Sequence, residues 1–297
     1  MFTAQIGVSV SAAEEPATTD DEAERALERT LVATGALLLP AGLGEIAPSL
    51  FYVRNEQTTP TLFTNSSGQF IAEQEVNSDT LDAVLQLRYG LPADMQLEFD
   101  LPYQHVSEEQ VTSVLYQPVA QTDSDSSGLG DVRIGIAKTL SLEHGWQPNL
   151  VARLIWDTDS GESSSAGALG GFGYNEAKFS LTGTQRQDPL VFLWNASYQK
   201  AFESDGVKPG DEVGISLGTV LAASPETSLR VILDQTFVDD VELNGVEQSG
   251  SDASIGTLTF GAASIIGAGK FLDFAVQTGL TDDAPSYAVG VTLTLRF

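Results

Sequence analysis

Cysteine is absent from the 297 residues, which removes disulfides, thiolate metal sites and cysteine nucleophiles together. Histidine is scarce: His105 and His144 lie far apart, with no second histidine at metal-ligand spacing, so both are read as structural or loop residues and no metal is expected. Basic residues are few, 14 Lys and Arg against 41 Asp and Glu for a formal charge of −27, and a nucleic-acid partner needs clustered cations, so none is expected. No apolar run approaches the roughly 18 residues that a membrane-spanning helix requires. A Gly-Lys phosphate-binding motif is missing, which argues against nucleotide-driven work. Ser107 beside His105 lacks an orienting acid, and no carboxylate pair is marked for catalysis. The chain is therefore read as not an enzyme and as needing no cofactor.

What is present is alternation. The last residues, Tyr287 to Phe297, place Val289, Val291, Leu293, Leu295 and Phe297 on one face and Gly290, Thr292, Thr294 and Arg296 on the other. Leu81, Ala83, Leu85, Leu87 and Tyr89 alternate with Asp82, Gln86 and Arg88. After the turn Leu91-Pro92-Ala93-Asp94 the pattern resumes with Met95, Leu97, Phe99, Leu101 and Tyr103 against Gln96, Glu98, Asp100 and Gln104. A soluble sandwich turns such charges outward to water, whereas a barrel in lipid turns them inward and gives its apolar face to hydrocarbon. Short connections at 92–94, 143–149, 185–189, 224–228 and 267–270 alternate with longer polar ones, the asymmetry of an outer-membrane barrel with short periplasmic turns. The Asp/Ser/Gly-rich run Asp123 to Gly130 reads as loop composition.

On that template the pattern predicts an all-β, transmembrane outer-membrane β-barrel of about twelve antiparallel strands, with outer-membrane lipid as its surroundings and both termini periplasmic. The strands are predicted at 45–57, 79–91, 95–115, 130–142, 149–158, 174–185, 190–202, 212–223, 228–239, 252–265, 270–280 and 287–297. Tyr52, Tyr89, Tyr103, Trp146, Trp156, Trp194 and Tyr198 fall near strand ends or on outward positions, as an aromatic girdle requires. Residues 1–19 read as a leader remnant or flexible N-terminus: an apolar run ends in Ser11-Ala12-Ala13, without a basic start. Residues 20–43 read as a plug helix and connector. The helix opens on Thr19-Asp20-Asp21-Glu22, spaces Leu27, Leu31 and Val32 helically and stops at Gly35. Residues 44–297 form the barrel.

A barrel of this size leaves a passage that its own side chains do not fill. The inward candidates are Arg54, Asp82, Arg88, Glu98, Asp100, Arg133, Arg153, Asp157, Lys178, Arg230, Asp234, Asp273 and Arg296, which either pair across strands or act on passing solutes. The gate candidates are Leu27, Glu28, Arg29, Leu31, Val32, Leu37, Leu38, Leu39 and Pro40, with Glu28 and Arg29 placed to pair with lumen charges and the leucines to fill space.

The run Ala26-Leu27-Glu28-Arg29-Thr30-Leu31-Val32, then Gly35 to Gly42, then Glu45-Ile46-Ala47-Pro48-Ser49-Leu50-Phe51-Tyr52 resembles the outer-membrane secretion channel of the Fap functional-amyloid system. That resemblance implies a twelve-stranded barrel plugged from the periplasmic side, a homotrimer, and gated export of amyloid subunits as unfolded polypeptide. It covers 26–52 closely and the rest only in architecture. The family's coiled coil has no counterpart, because no heptads are sustained before the plug. Related barrels labelled as transporters of the phenol-degradation type share these signals. Two alternatives stand beside export: an uptake channel for small, aromatic or hydrophobic molecules, and a soluble β-sandwich adhesin.

Overall fold

The computed structural model describes residues 19–65, 68–115, 117–161 and 173–297. One helix, α1 (Thr19–Ala33), precedes sixteen strands. In chain order these are β1 (Gly44–Asn65), β2 (Gly68–Leu91), β3 (Met95–Val114), β4 (Gln117–Leu129), β5 (Arg133–Ser141), β6 (Asn149–Asp157), β7 (Glu176–Gln187) and β8 (Leu190–Ala201). There follow β9 (Val207–Lys208), β10 (Glu212–Ser224), β11 (Thr227–Val238), β12 (Glu242–Leu243), β13 (Val246–Glu247), β14 (Ala253–Gly267), β15 (Lys270–Gly279) and β16 (Tyr287–Arg296). The leader reading of residues 1–19 lies, except for Thr19, outside the described residues.

Thirteen of these strands form one antiparallel sheet, and β16 pairs with β1 to close it. Strands β4 and β5 both pair with β3, at Tyr103 to Val114 and at Met95 to Asp100, so they are two halves of one stave and the barrel has twelve. Closure leaves the barrel wall without an edge, the condition for putting strands in hydrocarbon. The break between β4 and β5 sits where Pro102 on β3 has no N–H to give, and Gly130 N donates to the Pro102 carbonyl at 3.0 Å. Strand β4 occupies the Asp/Ser/Gly run read from composition as a loop; pairing with β3 along Tyr103 to Val114 outweighs its weak strand propensity.

Alternation sets the two faces. Outward positions carry large apolar side chains in contact around the wall: Ile134 opposite Trp156, Leu154 opposite Phe179, Phe179 opposite Tyr198, Leu217 opposite Trp194 and Leu233, and Phe260 opposite Val276. They are exposed to the medium, Leu217 by 57% and Phe179 by 51%, which only hydrocarbon makes favourable over so continuous a band. Trp194 lies flat over Gly183, where a Cβ would come within 2.2 Å of the indole. No described helix is long and apolar enough to cross a membrane.

Strands β1 and β2 run much further than their alternation predicted. Pairing with β16 stops at Arg54, yet the β1–β2 ladder continues to Asn65 and Gly68. With the upper parts of β3 and β4 this makes a four-stranded sheet standing about 30 Å above the barrel, at roughly 3.3 Å per residue. Its residues are rich in Thr, Gln, Glu and Ser on both faces, since water surrounds it, and this erased the period-two signal. Pro60 on its free β1 edge cannot donate to a passing strand, which protects that edge. Strands β9, β12 and β13 form a small cap at the same end, where the Glu242 carboxylate, 2.5 Å from Lys208 Nζ, raises that lysine's pKa.

Candidate functional site: a plugged lumen

The helix starts at the short-turn end and points its C-terminus into the barrel. Its termination is encoded locally. Gly35 takes φ +73°, Ala36 N donates to the Leu31 carbonyl at 2.8 Å, and Gly35 N donates to Val32 at 3.0 Å, the reciprocal pair of a Schellman stop. The chain then doubles back along the wall to β1.

The plug is held first by packing. Leu27, Leu31 and Ala36 are buried against Val191 and Leu193 of β8 and Val220 of β10, with Leu37 and Ala222 at the margin. Leu39 is buried, Leu38 half-buried and Pro40 exposed. Thr30, 1% exposed, touches the Ser228 hydroxyl of β11.

It is held second by cations at its carbonyl end. Arg88 donates to the carbonyls of Val32 at 3.0 Å and Ala33 at 3.5 Å, and Arg153 donates to Gly35 at 3.1 Å. The last carbonyls of a helix are unpaired and carry the negative end of its dipole, so two guanidinium groups there satisfy both needs. Asn149 donates to the Ala36 carbonyl at 2.9 Å, and Leu39 N donates to Gln96 at 2.8 Å.

These anchors belong to a charge ladder. Arg296 of β16 stands opposite Glu45 of β1, Glu45 opposite Arg88 of β2, and Arg88 opposite Glu98 of β3, all pointing inward. Arg153 of β6 completes the row, its Nε 2.9 Å from Glu98, while Arg296 Nη2 is 2.8 Å from Glu45. Alternating signs on adjacent strands across almost half the wall fix both register and the plug's docking surface. A second pair, Arg230 of β11 with Asp273 of β15, is bidentate and nearly buried; Arg230 crosses β14 at Gly261, where a Cβ would meet its guanidinium at 2.6 Å.

Above the plug, Arg133 of β5 lies 3.6 Å from Asp100 and stands opposite Asp157. Asp82, Lys178 and Asp234 share this inward face by register. Arg54 does not. It falls on the outward parity of β1 with Leu50 and Tyr52 and pairs with Asp79 at 2.7 Å, beside the Tyr52–Tyr287 ring contact at 6.0 Å. Its even position on β1 takes it off the inward row of Glu45, Ala47 and Ser49, and it stands at the rim, where pairing with β16 ends. Among the described residues neither Glu28 nor Arg29 forms an ion pair; Arg29 lies at the mouth beside Glu226 and Ile265, so the wall's arginines hold the plug instead. Gln96, Asn149, Glu45, Thr30 and Ser228 are not among the sequence-predicted site residues, although inward parity marks the first three once the strands are drawn. No cluster of metal-ligating side chains occurs among the described residues.

Close approach is also built in at Gly90, whose added Cβ would stand 2.1 Å from the Pro40 carbonyl. The Gly90→Ala variant is expected to push the connector off the wall and increase open events in single-channel recordings. Unchanged gating would show that the connector does not hold the closed state.

The family described as putative MetA-pathway of phenol degradation matches residues 55–297. The chain belongs to that family. No curated protein matches. Among solved structures, the COG4313 outer membrane channel from Pseudomonas putida F1 superposes with a TM-score of 0.67 at 14% identity, over 88% of this chain and 97% of that one. The translocator domain of autotransporter NalP from Neisseria meningitidis gives 0.48 at 12% identity over 94% and 97%. The P. putida toluene transporter TodX gives 0.45 at 10% over 87% and 90%. The first likeness shows the fold; the other two are too loose to carry an argument.

The protein thus has the fold of an outer-membrane β-barrel, and the soluble-sandwich alternative falls. The Fap resemblance finds no support beyond the barrel itself. The family match begins at residue 55, downstream of the 26–52 segment that carried that resemblance, and amyloid cargo and trimeric assembly find no support in these likenesses.

Proposed function

We propose that this is a gated, passive outer-membrane channel for uptake of small molecules, aromatic or hydrophobic ones included, with its short-turn end and both termini in the periplasm. The observation that carries the reading is the docked plug. Packing on β8 and β10 and the Arg88 and Arg153 anchors keep the helix in the lumen and leave a gap of about 210 Å³ beside the helix end, room for a single small solute. The family's association with phenol degradation supports solutes of that size class. Leu27, Leu31, Val32 and Leu37 to Pro40 act as the gate, and Arg88 and Arg153 as its latch.

The test is uptake into proteoliposomes. The double variant Arg88→Ala, Arg153→Ala is expected to pass small solutes several-fold faster than the native chain, about what the loss of two charge-assisted contacts allows. Equal rates would remove the latch from the account, and export of an unfolded peptide through the native barrel would restore secretion.

A further inference from the structure

The gap beside the plug has a chemistry of its own. It lies between Ala33 and Thr34 at the helix end and the walls of β1, β2 and β16. Every charged group that lines it is already matched: Arg230 with Asp273, and Arg88 with the helix carbonyls and, at 3.3 Å, the Gln86 side-chain oxygen. A net charge brought into such a place finds no counter-ion and loses its water.

Neutral hydrogen-bonding capacity, by contrast, is left over. The Gln86 oxygen accepts from Arg88, so its amide N–H groups remain available, and the Ser49 hydroxyl donates to the Val84 carbonyl at 3.2 Å, leaving its oxygen to accept. Thr292 and Thr294 add two further hydroxyls. On the same wall stand Ala47, paired with Gln86, and the ring of Phe51, which is packed on Gly290 where a Cβ would approach it within 2.1 Å, so the ring is held in place; Ala33 of the helix also lines the gap. The volume of about 210 Å³ is slightly larger than an apolar cavity of about 150 Å³ that takes up benzene.

We infer that this cavity is a binding site for an uncharged single-ring aromatic carrying one hydroxyl group, its ring against Phe51 and its hydroxyl toward Gln86 and Ser49. The inference rests on the uptake reading and locates a solute-binding station within it. Binding there places the solute against Thr34 and beside Arg88, so occupancy acts on the turn that the latch holds.

Fluorine NMR of para-fluorophenol with the full chain in micelles tests it, with para-fluorobenzoate as the charged probe. Saturable binding of the phenol alone is expected. The cavity-filling Ser49→Leu and the hydrogen-bond variant Gln86→Leu are each expected to weaken it at least about tenfold. Leu62→Ser, on the projecting sheet, is expected to leave it unchanged, with folding read from the heat-dependent gel mobility of the barrel. Equal binding by Ser49→Leu and Gln86→Leu, or equal binding of benzoate, overturns the site. Phenol flux into proteoliposomes is measured alongside. Flux without saturable binding removes the site and keeps the uptake reading, whereas saturable binding without flux keeps the site and removes uptake.

Discussion

Removal of Met1 to Ala41 is expected to convert a mostly closed channel into one with a large steady current, at least about tenfold above the native mean, because a twelve-stranded wall alone leaves a water-filled lumen. The deleted segment supplies Leu27, Leu31, Ala36 and Leu37, which pack with Val191, Leu193 and Val220, and it takes away the carbonyls that Arg88 and Arg153 hold. The barrel is expected to survive the loss, since its closure runs through Gly44 to Arg54 against β16 and Phe297, all of which the deletion keeps. Planar-bilayer recording of the refolded variant beside the full chain gives the result. A current equal to the native one would mean that the helix does not block the pore.

Substitution of Arg230 by Met is expected to be the most destabilising single change in the lumen, by about 3 kcal/mol, the lower end of the cost of leaving a buried charge without its partner. Asp273 is only 7% exposed, and its carboxylate receives both ends of the Arg230 guanidinium. The methionine keeps the stem but leaves that carboxylate to be solvated by the small cavity alone. The double variant Arg230→Met, Asp273→Leu is expected to recover most of the loss, because removing both charges removes the desolvation cost as well. Urea titration of folding into lipid vesicles measures both. Full stability of the single variant would show that lumen water already screens Asp273, and no recovery in the double would show that packing, not charge, is at issue.

Much of this architecture was legible in the sequence because a lipid-facing strand must alternate. Strands β3, β6, β8 and β16 begin and end within a residue or two of their predicted positions, since their outward residues in the barrel wall are mostly apolar. The signal fails where lipid ends. The upper halves of β1 and β2 and all of β4 stand in water on both faces, so composition resembled a loop and only pairing reveals strands. Inward charges were legible by the same parity, except Arg54, whose even position on β1 sets it off the inward row at the rim. The plug's leucines and Gly35 stop were visible, but its anchors were not. Arg88 and Arg153 read as lumen charges of no particular purpose, because their partners are backbone carbonyls, which no sequence displays as special. The alternating ladder Arg296, Glu45, Arg88, Glu98 depends on register across strands far apart in the chain, and register emerges only on folding.

The gate is tested most directly by tethering it. The chain has no cysteine, so Thr30→Cys with Ser228→Cys, at two side chains already in contact, can form one disulfide joining plug to wall. Single-channel recordings before and after addition of dithiothreitol are the measurement. The account predicts closed channels while the tether is oxidised and restored opening once it is reduced; an oxidised barrel that conducts as freely as the reduced one would contradict it.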